Sequence, residues 1–134
     1  MEITQKILKF DILNLNGRMY TKESISKAIK DVRNKTKEMG VFYGCLGYPE
    51  NDKFRLALNV SHTIKKLYIR NNILYGQIEI LDTKPGKILK DNIDSYVFRP
   101  RMTGNADKNK VCHVDDIISI DAILKDTDSY KGII

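Results

Sequence analysis

Cysteine is scarce in this chain. Two among 134 residues, Cys45 and Cys112, are too few for a disulfide framework, so a reducing interior is the default expectation. Histidine is equally scarce. His62 and His113 are the only two, and most general-base schemes would have to use one of them. These four residues lack the short Cys-x-x-Cys or His-x-x-x-His pairing of a zinc site, so no metal is expected, and no cofactor either. No apolar run approaches the roughly 18 residues that would span a bilayer. The opening MEITQKILKF is interrupted by Glu2, Lys6 and Lys9, and no signal-peptide core is expected there. There is no P-loop, no dinucleotide fingerprint and no G-x-S-x-G elbow, which argues against nucleotide-dependent and α/β-hydrolase chemistry. Internal repeats, low-complexity tracts and interdomain linkers are also missing.

What is present describes an ordinary globular protein. The hydrophobic share is 42% and the charged share 30%, and the length suits one domain with a real core. The net charge of +6 favours a polyanion or an acidic protein surface as partner. However, the lysines are scattered and interleaved with Asp and Glu, the pattern of a solvated surface. Neither direct nucleic-acid binding nor membrane association is expected.

The chain alternates between strand and helix signals. Residues 3–13 carry Ile3, Ile7, Leu8, Phe10, Ile12 and Leu13 and read as a first strand. Asn16-Gly17 then supplies a turn. Thr21 is a good N-cap with Glu23 in the first helical turn. Ile25, Ala28, Ile29, Val32 and Met39 follow near one face of a helix, and Gly40 is a plausible stop. VFYGCLG predicts a short strand, and LALNVSHTIKKLYI a long one beyond the YPENDKF loop. Asn71-Asn72 turns that strand into ILYGQIEIL as a hairpin. Thr83 and Pro85 open a second helix over TKPGKILKDNIDS. YVFRPRMTG returns to extended structure, NADKNK is a polar loop, and IISIDAIL is a buried strand. The fold class expected is α+β: a single domain with a mostly antiparallel, barrel-like sheet and two helices, its core at 1–125 and a tail at 126–134.

Read residue by residue, no active site emerges. Asp82, Asp94, Asp115, Asp116 and Asp121 are spread through turns and a strand, and nothing pairs them as acid and base. His62 lies beside Ser61, but adjacent strand residues point to opposite faces, so the two are not expected to form a dyad. Cys112-His113 meets the same objection. The tyrosines are not grouped as a base-stacking platform. They more naturally fill the sheet or meet a protein partner.

Taken in order, several stretches resemble the prohead maturation proteases of tailed bacteriophages, serine proteases that cleave scaffold and capsid proteins inside the immature head. NLNGRMYTKESISKAI is similar to that family's asparagine-x-asparagine-glycine-arginine-x-tyrosine block before its first helix. GCLGYPE is similar to its Gly-Glu-Leu-Gly-His-Pro turn. NVSHTIKKLYIRNNILYGQIEILDTKPGKILKD resembles the strand, hairpin and Thr-Pro-x-Gly helix start that follow there. YVFRPRMTGN occupies the place of a Gly-Val-Ser-Ser-Arg-Gly-x-Gly segment, and DDIISIDAIL that of the last core strand. The likeness spans nearly the whole chain.

The departures carry the functional expectation. The histidine position of the family is Tyr48 here, and the serine positions are Arg99 and Pro100. A phenol with a pKa near 10 is a poor base at neutral pH, proline offers no nucleophile and arginine stays protonated. The resemblance therefore implies a protease frame without its catalytic pair. His62 as base, with Ser95 or Thr103 as hydroxyl, is the best surviving combination. The expected role is that of an auxiliary or minor capsid component in the virion, made in the host cytoplasm, with the major capsid protein or another head protein as partner and possible self-association. A regulator or inhibitor of the head protease, or an active protease, are the alternatives. Tyr43, Tyr48, Phe54 and Phe98 are candidate aromatic anchors for the partner, and Arg99 and Arg101 candidate carboxylate contacts.

Overall fold

The computed structural model describes residues 1–47 and 59–134. Six strands and two α-helices appear among them: β1 (Glu2–Lys9), α1 (Lys22–Met39), β2 (Tyr43–Cys45), β3 (Val60–Arg70), β4 (Ile73–Ile80), α2 (Lys84–Asp91), β5 (Tyr96–Ala106) and β6 (Cys112–Leu124). Short 3₁₀ turns occupy Ile93–Ser95 and Lys125–Thr127. The order is the one expected from the sequence, and the class is α+β.

Local chemistry explains where the elements begin and end. The Thr21 hydroxyl accepts from the Ser24 N–H at 3.0 Å, and the Ser24 hydroxyl accepts from the Thr21 N–H at 2.9 Å. This reciprocal cap starts α1 by satisfying two backbone donors. Gly40 ends it with φ at 77°, a conformation that costs glycine little. Ile25, Ala28, Ile29 and Val32 form the buried stripe. Met39 lies on that stripe by period but is 72% exposed; it is the last helical residue and stands clear of the core. Asn71 and Asn72 have φ of 50° and 65°, the two positive values that a two-residue hairpin turn requires. The Thr83 hydroxyl accepts from the Gly86 N–H at 3.0 Å and donates to the Val60 carbonyl at 2.7 Å. It caps α2 and fastens it to β3 at once.

Two antiparallel sheets enclose the core. One has the strand order β1-β4-β3-β2, and the other is the long β5-β6 hairpin. The hairpin approaches both edges of the larger sheet. On one side Leu46 bridges Ala122, and the Gly47 N–H donates to the Ala122 carbonyl at 2.6 Å. On the other, the Arg99 side chain donates to the Lys6 carbonyl at 2.8 Å. The result is barrel-like, with Ile7, Leu74, Ile78, Phe98, Ile117 and Ile120 inside. Pro100 is tolerated because β5, among the described residues, pairs only with β6.

Several boundaries differ from the sequence reading. β1 stops at Lys9, because Asp11 takes φ of 62° and redirects the chain. β3 starts at Val60; residues 56–58 of the expected strand, and the YPENDKF loop, lie outside the described residues. Much of NADKNK is strand or tight turn, since β5 continues to Ala106 and the Asp107 carboxylate accepts from the Asn109 and Val111 N–H groups. The segment expected as a tail is packed. Asp128 and Tyr130 are buried, and the Leu15 N–H donates to the Ser129 carbonyl at 2.8 Å.

Candidate functional site

The polar residues that the fold gathers most tightly lie where β2, β3, β5 and β6 meet. His62 is fully buried on β3. Its Nε2 lies 2.7 Å from the Ile120 carbonyl, and its Nδ1 lies 2.7 Å from the Ser61 hydroxyl. A carbonyl can only accept, so Nε2 carries the proton and Nδ1 accepts from Ser61. Phe98 of β5 meets the ring edge-on at 5.0 Å between centroids. Burial pushes the imidazole pKa down to about 4, against the smaller opposing effect of the Ile120 hydrogen bond. The ring is therefore neutral at physiological pH.

The contact between Ser61 and His62 corrects the expectation that strand alternation keeps them apart. The cause is a bulge. Gly44 faces His62 and Cys45 faces Val60, so Ser61 is an extra residue in β3 relative to β2. A bulge suspends the alternation over its two residues, and here it lets the serine hydroxyl reach the neighbouring ring.

Gly44 is required by the same arrangement. A Cβ placed there would come within 2.1 Å of His62 Nε2 and 2.2 Å of the Ile120 carbonyl oxygen. The hydrogen bond from β3 to β6 thus passes directly over the β2 backbone, and only glycine leaves room for it.

One residue beyond Ile120 stands Asp121, also fully buried. Its Oδ1 accepts from the Cys45 N–H at 2.9 Å and its Oδ2 from the Ser119 hydroxyl at 3.0 Å. The sequence reading placed Asp121 among scattered acids. The available signal was a lone carboxylate inside the apolar run IISIDAIL, where a charge needs specific partners. Gly44 and Ser119 went unassigned as well: the space that Gly44 leaves is defined by β3 and β6, and Ser119 matters only through the buried Asp121 two residues on.

The expected catalytic positions fare differently. Tyr48 lies outside the described residues, as does Phe54. Arg99 is 4% exposed. Its Nε and Nη2 donate to the two Asp128 carboxylate oxygens at 2.8 and 3.0 Å, and its Nη1 donates to the Lys6 and Phe98 carbonyls. The guanidinium also lies 5.6 Å from the Tyr130 ring centre. Phe98 and Arg99, expected as anchors for a partner, are therefore interior groups. They sit on opposite faces of β5, one in the barrel against His62 and the other beneath the C-terminal segment, which makes this stretch of strand buried on both sides. Pro100 and Arg101 are half-buried and border a cavity of about 240 Å³ with Tyr20 and Tyr130. Tyr43 is 41% exposed.

As chemistry, the cluster holds a hydroxyl aimed at an unprotonated imidazole nitrogen, the first half of a nucleophile–base pair. Neither Ser61 nor His62 exposes any surface, and the 240 Å³ cavity beside β5 is lined by neither. Ser95 and Thr103 are exposed, and the ring nitrogens of His62 are engaged by Ser61 and Ile120. The combination of His62 with Ser95 or Thr103 is thus not assembled. Among the described residues no group of three or more His, Cys, Asp or Glu could hold a metal ion.

The two facing sheets, the two capped helices and the polar clip between β2, β3 and β6 define a small α+β domain of a recognisable kind. It has the fold of a phage capsid-assembly protease. The structure of the bacteriophage T4 capsid assembly protease, gp21, is similar with a TM-score of 0.66 and 21% sequence identity, over 92% of this chain and 81% of that one. The likeness at this identity is one of fold. No family model matches the chain, and no curated protein does.

Proposed function

We propose that this chain is a bacteriophage head protein, an auxiliary or minor capsid component that binds the capsid shell and has given up peptide cleavage. The observation that carries the reading is the state of β5. Where the resemblance puts the nucleophile stand Arg99 and Pro100, and Arg99 is used as an interior strut against Asp128. Tyr48 stands at the histidine position, where a phenol is a weak base. A fold without its reaction is useful as a surface, and a chain of net charge +6 suits acidic head proteins. The T4 protein that shares the fold is named as a capsid assembly protease, which supports the same setting.

Two measurements test this. Purified chain incubated with peptides spanning the major capsid protein leaves them intact by mass spectrometry, and quantitative proteomics of virions finds the chain in many copies. Few or no copies would favour the regulator of an active protease instead. A second reading, a working protease, is favoured by the Ser61–His62 contact and needs Ser61 to become reachable. Labelling by a serine-directed fluorophosphonate that disappears in Ser61→Ala would establish it and end the first reading.

A further inference from the structure

A groove of about 440 Å³ runs between the last turns of α1 and the second half of β3. Val32, Ile64 and Leu67 lie beneath it, only 1–3% exposed, and its rim carries Arg33, Lys37, Lys65 and Lys66. All four cations are exposed, and no lining residue is acidic. Of the four, Lys65 is paired with Glu79 at 3.0 Å. Arg33 donates through Nε and Nη2 to the Leu67 carbonyl at 3.3 and 3.0 Å, which fixes the guanidinium over the strand without neutralising it. The Lys66 ammonium lies 5.7 Å from the Tyr68 ring centre. Lys37 makes no ion pair among the described residues.

Three positive charges therefore converge on a concave apolar surface without carboxylates of their own, in a chain that has 17 Asp and Glu to spend. Clefts lined by one sign of charge concentrate ligands of the other sign. The size suits a few side chains. A nucleic acid would satisfy the charges, but it needs open aromatic faces to stack its bases. The one aromatic ring in the groove, Tyr68, is already stacked on Tyr75 at 5.4 Å and covered by Lys66.

We propose that this groove docks an acidic peptide segment of a partner protein, with an apolar side chain between the apolar stems of the rim side chains above Val32, Ile64 and Leu67 and carboxylates against Arg33, Lys37 and Lys66. The inference does not depend on the head-protein reading. It concerns a face built from α1 and β3, whereas that reading rests on Tyr48 and β5.

The test is a selection of random 12-residue displayed peptides against the full chain, in parallel with the double variant Lys37→Glu/Lys66→Glu. Both substitutions are on exposed side chains, and circular dichroism with a thermal midpoint checks the fold; Lys37→Gln/Lys66→Gln serves if charge reversal perturbs it. The expected result is a family of peptides with Leu or Phe between Asp or Glu residues. Fluorescence anisotropy should show their affinity falling at least about tenfold in the variant, as the loss of charge-assisted contacts implies. Amide shifts on binding should fall at Val32–Lys37 and Ile64–Tyr68. No acidic family, equal binding by the variant, shifts confined to another face, or a single-stranded oligonucleotide that binds through these lysines when the peptides do not, would each overturn the proposal. None of these outcomes bears on peptide cleavage or virion copy number, so the two readings fail separately.

Discussion

At the scale of single residues, His62 and Gly44 hold the polar clip together. His62 is neutral when folded, with a pKa near 4 against an ordinary 6.5. Between those values the unfolded chain binds a proton that the folded chain refuses, so stability is complete above about pH 6.5 and declines as pH falls towards 4. At about 1.4 kcal/mol per pK unit, the loss from this residue is about 3 kcal/mol. Urea denaturation at steps from pH 7 to 4 should show that decline, and His62→Gln, though less stable overall, should lack this part of the slope. A slope equal in the two proteins would mean that His62 titrates normally. Gly44→Ala tests the same clip from the opposite strand. A methyl group about 2 Å from the imidazole and the Ile120 carbonyl must push strands apart, and a loss of about 3 kcal/mol or more is expected in the same assay. The backbone φ of Gly44 is not the issue; the space is.

Among the elements, the C-terminal segment is the one whose role changed most from sequence to structure. A stretch that reads as a polar tail covers the outer face of β5 through one bidentate ion pair, with both side chains only 5% exposed. Removing one partner strands the other charge in the interior, so Arg99→Ala should destabilise the protein by about 3–5 kcal/mol. Limited proteolysis should then cut within 125–134, where the parent protein resists. Arg99→Ala with Asp128→Ala should be less harmful than the sum of the two single changes, because neither charge is left alone. Burial raises the Tyr130 phenol above its usual value, outweighing the Asn14 hydrogen bond and Arg99, which act the other way, as expected for a ring sealed into that seam. At the other end of the chain, Asn14 plays a comparable part: its side-chain oxygen accepts from the Asn16 and Arg18 N–H groups and orders the turn before α1. Although the Asn14 side chain went unassigned, the turn was legible at Asn16-Gly17, where Gly17 takes φ of 72°. The packing of 128–130 was not, because no period or cap in KDTDSYKGII announces it.

For the whole molecule, the question is what a cationic barrel does in company. If shell binding uses the positive exterior, co-sedimentation with assembled capsids should weaken several-fold between about 50 and 300 mM salt, since the screening length is above roughly 10 Å at the low end and well below it at the high end. Binding indifferent to salt would point to an apolar contact instead and remove the charge argument. The salt bridges that coordinate the exterior, such as Lys35–Asp116 and Lys65–Glu79, are about 40–50% exposed, so they contribute little to stability and remain available to exchange partners.

Element order, both helix caps, the Asn71-Asn72 hairpin and the class of fold were already determined by local sequence, because caps, turns and apolar periods act within a few residues of one another. That Tyr48, Arg99 and Pro100 stand where they do is likewise a fact of sequence. Only the tertiary structure decided that Ser61 turns towards His62, that Arg99 is a strut beneath the C-terminal segment, and that Asp121 and Gly44 serve the junction of three strands. Each depends on groups brought together from distant positions, or on a bulge defined by the facing strand, and alternation along a single strand carries no information about either.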